Sequence, residues 1–99
     1  MTDYSRYIWF DGKIIPFNEG NIHVMSHCIH YGSAVFEGIK CYSTSNGPAI
    51  FKLNEHMARL HKSANSFNIK IPFSVDELCN GAIELIKSNE VENCYLRPI

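Results

Sequence analysis

Arg59, Tyr95 and Arg97 are the residues whose types and spacing point most directly to chemistry. Tyr95 and Arg97 lie two apart in a segment that reads as a strand, so alternation sets a phenol beside a guanidinium on one face. A guanidinium presents its donors as a planar fork that grips a carboxylate or phosphate at two points. An arginine drawn into a fold without an anion is costly, so Arg97 needs a partner: a structural Asp or Glu, or a ligand carboxylate. Spacing alone leaves both open. Arg59 sits beside the apolar stripe of an expected helix, with His56 and Ser63 on neighbouring turns. It is either a solvated surface charge or a fixed anion holder.

Other chemistries find less support. His23, His27 and His30 crowd together, but a zinc site needs three or four converging ligands, and spacings of four and three demand a helix that this stretch does not clearly form. Hydrogen-bonded structural histidines are the expectation, and no metal. Ser26 and Ser33 lack the glycine-flanked elbow of a nucleophile. No lysine lies in an apolar run that would depress its pKa, Lys40 coming nearest, and no phosphate-cradling glycine loop is present. Cys28, Cys41, Cys79 and Cys94 are spread without a C-x-x-C pair, as expected of reduced, mostly buried thiols.

The elements that must position these residues are legible in outline. Ninety-nine residues with 45% hydrophobic and 12% aromatic content can form one small domain and are too apolar to be disordered. A net charge of −1 without a basic cluster argues against nucleic acid. No run approaches membrane-spanning length and the first residues lack an apolar signal core, so a cytoplasmic location is expected. Tyr7–Phe10, Asp11-Gly12 and Lys13–Phe17 read as a β-hairpin, with Pro16 at a strand edge or end. Ala34–Tyr42 and Pro48–Leu53 flank a turn-rich connector over 43–47, giving a second hairpin. Leu53, Met57, Leu60, Ala64 and Phe67 make one helical stripe, with Asn54 as N-cap. Ser74 to Glu77 is a capping box opening a helix whose Leu78, Cys79, Ala82, Ile83, Leu85 and Ile86 turn inward. Gly81 should weaken that helix by about 1 kcal/mol relative to Ala. Cys94–Ile99 closes as a strand with Tyr95, Arg97 and Ile99 on one face. The expected fold is α+β: an antiparallel sheet of two hairpins plus a C-terminal strand, covered on one side by two α-helices. Because the chain stops mid-strand on an apolar residue, it reads as a piece of a longer protein.

Gly38 stands out within Phe36-Glu37-Gly38-Ile39-Lys40, since a packed strand normally avoids glycine. It marks either a bulge or a close approach of something to the backbone.

In order, Ile8–Gly12, His23-Val24, His30-Tyr31-Gly32, Phe36–Tyr42, Phe51, Glu55-His56-Met57-x-Arg59-Leu60, Ser63-Ala64 and Tyr95-Leu96-Arg97-Pro98 resemble the N-terminal part of the branched-chain amino-acid aminotransferases. These are fold-type IV enzymes dependent on pyridoxal 5′-phosphate (PLP). The resemblance runs along nearly the whole chain. It implies that Arg59 binds the cofactor phosphate and that Phe36 and Gly38 line the pocket for the branched side chain. Tyr95 would contact the substrate α-carboxylate, and Arg97 would receive the distal carboxylate of glutamate or 2-oxoglutarate, so that both guanidiniums, Arg59 and Arg97, would hold anions that the polypeptide itself does not provide. Tyr31 would be lent across a dimer interface. Lys40 stands where many bacterial relatives have Arg; it keeps the charge but loses the fork.

The resemblance further implies that residues 1–99 are the small domain of a two-domain, homodimeric enzyme acting on leucine, isoleucine, valine and their 2-oxo acids. The lysine that bonds the cofactor and shuttles protons would lie beyond Ile99, so no catalytic residue is expected in this stretch and it should not transaminate alone. The alternatives are another fold-type IV enzyme, a D-amino-acid aminotransferase or aminodeoxychorismate lyase, or a binding domain without catalysis.

Overall fold

The computed structural model describes residues 5–99; residues 1–4, at the start of the expected domain, lie outside the described residues. Strands β1 (Tyr7–Phe10) and β2 (Lys13–Pro16) form the first hairpin, pairing Tyr7 with Pro16 and Phe10 with Lys13. Its turn residues Asp11 and Gly12 have φ of +51° and +88°, the handedness that continues the twist of both strands. Pro16 ends its strand, where its missing N–H breaks no ladder, and a 3-10 turn, Phe17–Glu19, follows.

After a loop and the short helix α1 (His27–Tyr31) come β3 (Ile39–Thr44) and β4 (Gly47–Ile50). The expected connector shrinks to Ser45-Asn46. Thr44 is instead a paired residue opposite Gly47, its hydroxyl donating to the Gly47 carbonyl at 2.5 Å and accepting the Asn46 N–H at 3.2 Å. The strand expected from Ala34 begins only at Ile39, and β5 (Cys94–Leu96) is three residues long rather than six. β5 runs antiparallel to β3, so the sheet order is β4-β3-β5. Beyond its end the Glu37 N–H still reaches the Pro98 carbonyl at 2.9 Å, but Pro98 has no N–H to return.

Helix α2 (Leu53–Ser66) and helix α3 (Val75–Asn89) cover one face of this sheet. The expected Asn54 cap on α2 is not formed: Lys52 occupies the cap position in the left-handed conformation and supplies no side-chain acceptor. The Ser74–Glu77 capping box on α3 forms in both directions. Ile39 and Cys41 of β3 and Leu96 of β5 meet Met57 and Leu60 of α2 and Leu78, Ala82 and Ile86 of α3 in the core. Burying each large member contributes about 1.5–3 kcal/mol. Ile83, expected inside, is 41% exposed, and Phe67 lies past the end of α2 with 65% exposure. Of the four thiols only Cys41 is buried; Cys28, Cys79 and Cys94 are half-buried, and all four are free. Burial and the neighbouring Cys41 push the Cys94 thiol up to about 11.

The α+β class is as expected, but its strands divide into two sheets. The first hairpin does not join the three-stranded sheet; it packs on α3. Asn89 pairs with the edge of β1, accepting the Tyr7 N–H at 3.0 Å and donating to the Tyr7 carbonyl at 3.1 Å. Trp9 meets Phe73 edge-on at 5.0 Å. Among the described residues no helix is long and apolar enough to cross a membrane.

Candidate functional site

Alternation along β3 and the residues leading into it decides the two halves of the site. Glu37, Ile39 and Cys41 turn toward the helices and are buried; Lys40 and Tyr42 turn to the opposite face and are exposed. On β5 Leu96 faces the core, while Tyr95 and, just past the strand end, Arg97 face outward. Lys40 is the cross-strand partner of Tyr95, and both belong to this open face.

On that face the structure draws together Phe36, Gly38, Tyr95 and Arg97. Arg97 Nη2 donates to the Tyr95 hydroxyl at 3.0 Å, and the guanidinium carbon lies 4.5 Å from the Phe36 ring centroid and 5.2 Å from that of Tyr95. The cation is thus held by two aromatic rings, an arrangement that favours it electrostatically without neutralising it. The expectation of a buried Arg97 is corrected: Arg97 is exposed, so solvent has relieved the cost that would have demanded an internal acid. Among the described residues it makes no ion pair with Asp or Glu. Gly38 is a close approach, and the approaching group is the Tyr95 phenol. A side-chain carbon at Gly38 would run into the Tyr95 hydroxyl and lie 2.8 Å from its Cζ.

The other half corrects one part of the expectation for Arg59, that no anion of the polypeptide meets it. One anion is supplied by the chain itself. Arg59 Nε donates to Glu37 Oε2 and Nη2 to Glu37 Oε1, both at 2.8 Å, the bidentate fork of a guanidinium on a carboxylate. His56 Nδ1 shares Oε1, also at 2.8 Å. Glu37 is 5% exposed, and burial alone would raise its pKa; the Arg59 hydrogen bonds, joined by His56, hold it down at about 2. The same pairing raises Arg59 further. Because the ionised carboxylate only accepts, His56 must carry its proton on Nδ1. Arg59 nevertheless remains 65% exposed, and its Nη1 makes no hydrogen bond among the described residues. It opens on a shallow cavity of about 190 Å³ lined with Lys52, Glu55 and His56. A cationic donor edge beside such an opening fits a phosphate or carboxylate. The Ser63 hydroxyl adds no hydrogen bond to this cluster.

Tyr31 stands apart. It lies on α1, 74% exposed, its ring 4.5 Å from that of His27. The three crowded histidines each have a hydrogen-bond partner: His23 Nδ1 accepts from Met25 N–H, His27 pairs with the Ser33 hydroxyl and His30 with the Val24 carbonyl. Contrary to the sequence reading, His27 and His30 do lie on one short helix.

Sequence reasoning gave Glu37 no role. The signal was its place in the alternation: an acid on the same face as Ile39 and Cys41 has to be paired, and the arginine and histidine of α2 were the available cations.

The sequence model of the family described as amino-transferase class IV matches residues 34–99. The chain is 42% identical over 98 residues to the branched-chain-amino-acid aminotransferase of Escherichia coli K12, covering 99% of this chain and 32% of that protein. It thus spans about a third of the length of the curated relatives it matches. Among solved structures, it superposes on a T.th. branched-chain amino acid aminotransferase complexed with N-(5′-phosphopyridoxyl)-L-glutamate with a TM-score of 0.93 at 41% identity, over 97% of this chain and 32% of that one. The same T.th. enzyme complexed with 4-methylvaleric acid gives 0.92 at 42% identity, over 94% and 31%.

Proposed function

Because the chain belongs to the class IV aminotransferases, we propose that it is the N-terminal small domain, residues 1–99, of a two-domain PLP-dependent branched-chain aminotransferase. The full-length protein would exchange an amino group between leucine, isoleucine or valine and 2-oxoglutarate. The observation that carries this reading is the exposed Arg97 guanidinium, seated on Phe36 and bonded to Tyr95, without an acid of the described chain opposite it.

Such a face suits two unlike substrates. The Phe36 ring, beside the Tyr95 ring that Gly38 admits over its backbone, offers an apolar wall for a branched side chain. With an apolar side chain in place, Arg97 rests on aromatic faces. With glutamate in place, its fork is free to take the distal carboxylate. The Tyr95 phenol is placed to donate to the α-carboxylate, and Lys40 adds positive charge on the same face. Arg59 would hold the cofactor phosphate through its free edge. When bound, PLP supplies the electron sink, and the chain supplies binding and orientation. The relatives' structures with a phosphopyridoxyl-glutamate adduct and with a branched-chain acid support both halves of this reading. Tyr31, exposed and away from the cluster, would be lent to the neighbouring subunit of a homodimer or larger assembly. A cytoplasmic location and the absence of catalysis by residues 1–99 alone belong to the same proposal.

The test is a substrate panel on the PLP-loaded full-length protein and its Arg97→Gln variant. Leucine, isoleucine, valine and glutamate should all donate, and the variant should lose glutamate by about tenfold or more while keeping leucine within a few-fold. Preference for D-alanine, or equal loss for both substrate types, would overturn the reading.

A further inference from the structure

We infer that Glu37, assisted by His56, is a positioning residue that fixes the plane of the Arg59 guanidinium and presents its unused edge to the phosphate of the cofactor. This rests on the proposed role of Arg59 as the phosphate holder. An unrestrained arginine on an exposed helix surface samples many rotamers, and ordering its long side chain at the moment of binding would cost affinity. The fork to Glu37 removes that freedom beforehand. Nε and Nη2 each have a bond to one carboxylate oxygen, so rotation about the terminal torsions is blocked while Nη1 stays open. His56, one turn before Arg59 on α2, in turn restrains Glu37 by bonding Oε1. The carboxylate is buried and held by β3's lead-in residues, whose backbone is tied to Pro98. The guanidinium is therefore anchored to the sheet as well as to its own helix.

The alternative roles predict different signs. If Glu37 only neutralised Arg59, removing its negative charge would tighten the hold on a phosphate. If it only stabilised the fold, its loss would weaken ligands with and without a phosphate alike. A positioning residue, when lost, weakens the phosphate-bearing ligand alone.

The experiment titrates the apo full-length protein with PLP and with pyridoxal, which lacks the phosphate, following the visible absorbance of each. Arg59→Ala should weaken PLP by about 10- to 100-fold and pyridoxal little, as expected for losing a hydrogen bond to a charged group. Glu37→Gln should weaken PLP about 5- to 10-fold and leave pyridoxal within about twofold. Glu37→Asp, which keeps the charge but shortens the reach, should behave like Glu37→Gln and carries the test if the amide variant does not fold. Unchanged or tighter PLP binding in both Glu37 variants, or parallel loss of both ligands, overturns the inference. If Arg59→Ala fails to separate PLP from pyridoxal, the phosphate role of Arg59 itself falls.

Discussion

The indole of Trp9 lies so close to Gly81 of α3 that a side-chain carbon there would fall 2.6 Å from Nε1 and 2.7 Å from Cε2. The first hairpin is thereby seated on α3, because β1 brings its large aromatic ring onto the one point of the helix that has no side chain. It also reverses the expected value of that glycine. Helix propensity alone makes Gly81→Ala stabilising by about 1 kcal/mol. The collision involves a rigid indole ring, itself packed edge-on against Phe73, and overpacking of this kind costs about 1–3 kcal/mol. Gly81→Ala should therefore lower the melting temperature and shift Trp9 fluorescence. A stabilised variant with unchanged emission would show that the indole has room to move.

Gly38 makes a second prediction of the same kind. Gly38→Ala should displace the Tyr95 phenol and with it the 3.0 Å bond from Arg97. Tyr95→Phe removes the nearest colliding atom. In urea unfolding, the double variant should therefore lose less stability than the sum of the two single variants, by at least about 0.5 kcal/mol. Strict additivity would mean that the two residues do not meet.

The Glu37 carboxylate should make stability pH-dependent in a defined window. Its pKa is lowered from 4.5 to about 2 in the folded chain, chiefly by the Arg59 hydrogen bonds. A depressed carboxylate contributes its full stability above the unfolded value and loses it as the pH falls through the folded one. The wild type should thus exceed Glu37→Gln in stability at about pH 7, with the gap closing from about pH 4.5 down to about pH 2. At about 1.4 kcal/mol per pKa unit the gap is at most about 3.5 kcal/mol, and exposure of Arg59 reduces it toward about 1–2 kcal/mol. Urea midpoints across that range measure it; a gap that stays constant throughout would refute the assignment.

Much of this protein was legible before any coordinates. The Asp-Gly turn, the Ser74–Glu77 capping box and the period of Met57, Leu60 and Ala64 are local signals, each set by residues within a turn or two of one another. The side-by-side placement of Tyr95 and Arg97 is of the same type, since strand alternation needs no distant partner. The motifs of Phe36–Tyr42, Arg59 and Tyr95–Pro98 likewise carried the family resemblance by themselves. Tertiary structure decided what depends on residues far apart in the chain. Glu37 meets Arg59 and His56 only because β3 and α2 pack face to face, which buries the acid and forces it to be paired. The Tyr95 phenol fills the space over Gly38 only because β5 aligns beside β3 in one register. The five strands divide into two sheets, and the first hairpin rests on α3 where Trp9 meets Gly81, a packing contact between residues distant in sequence that no local pattern encodes.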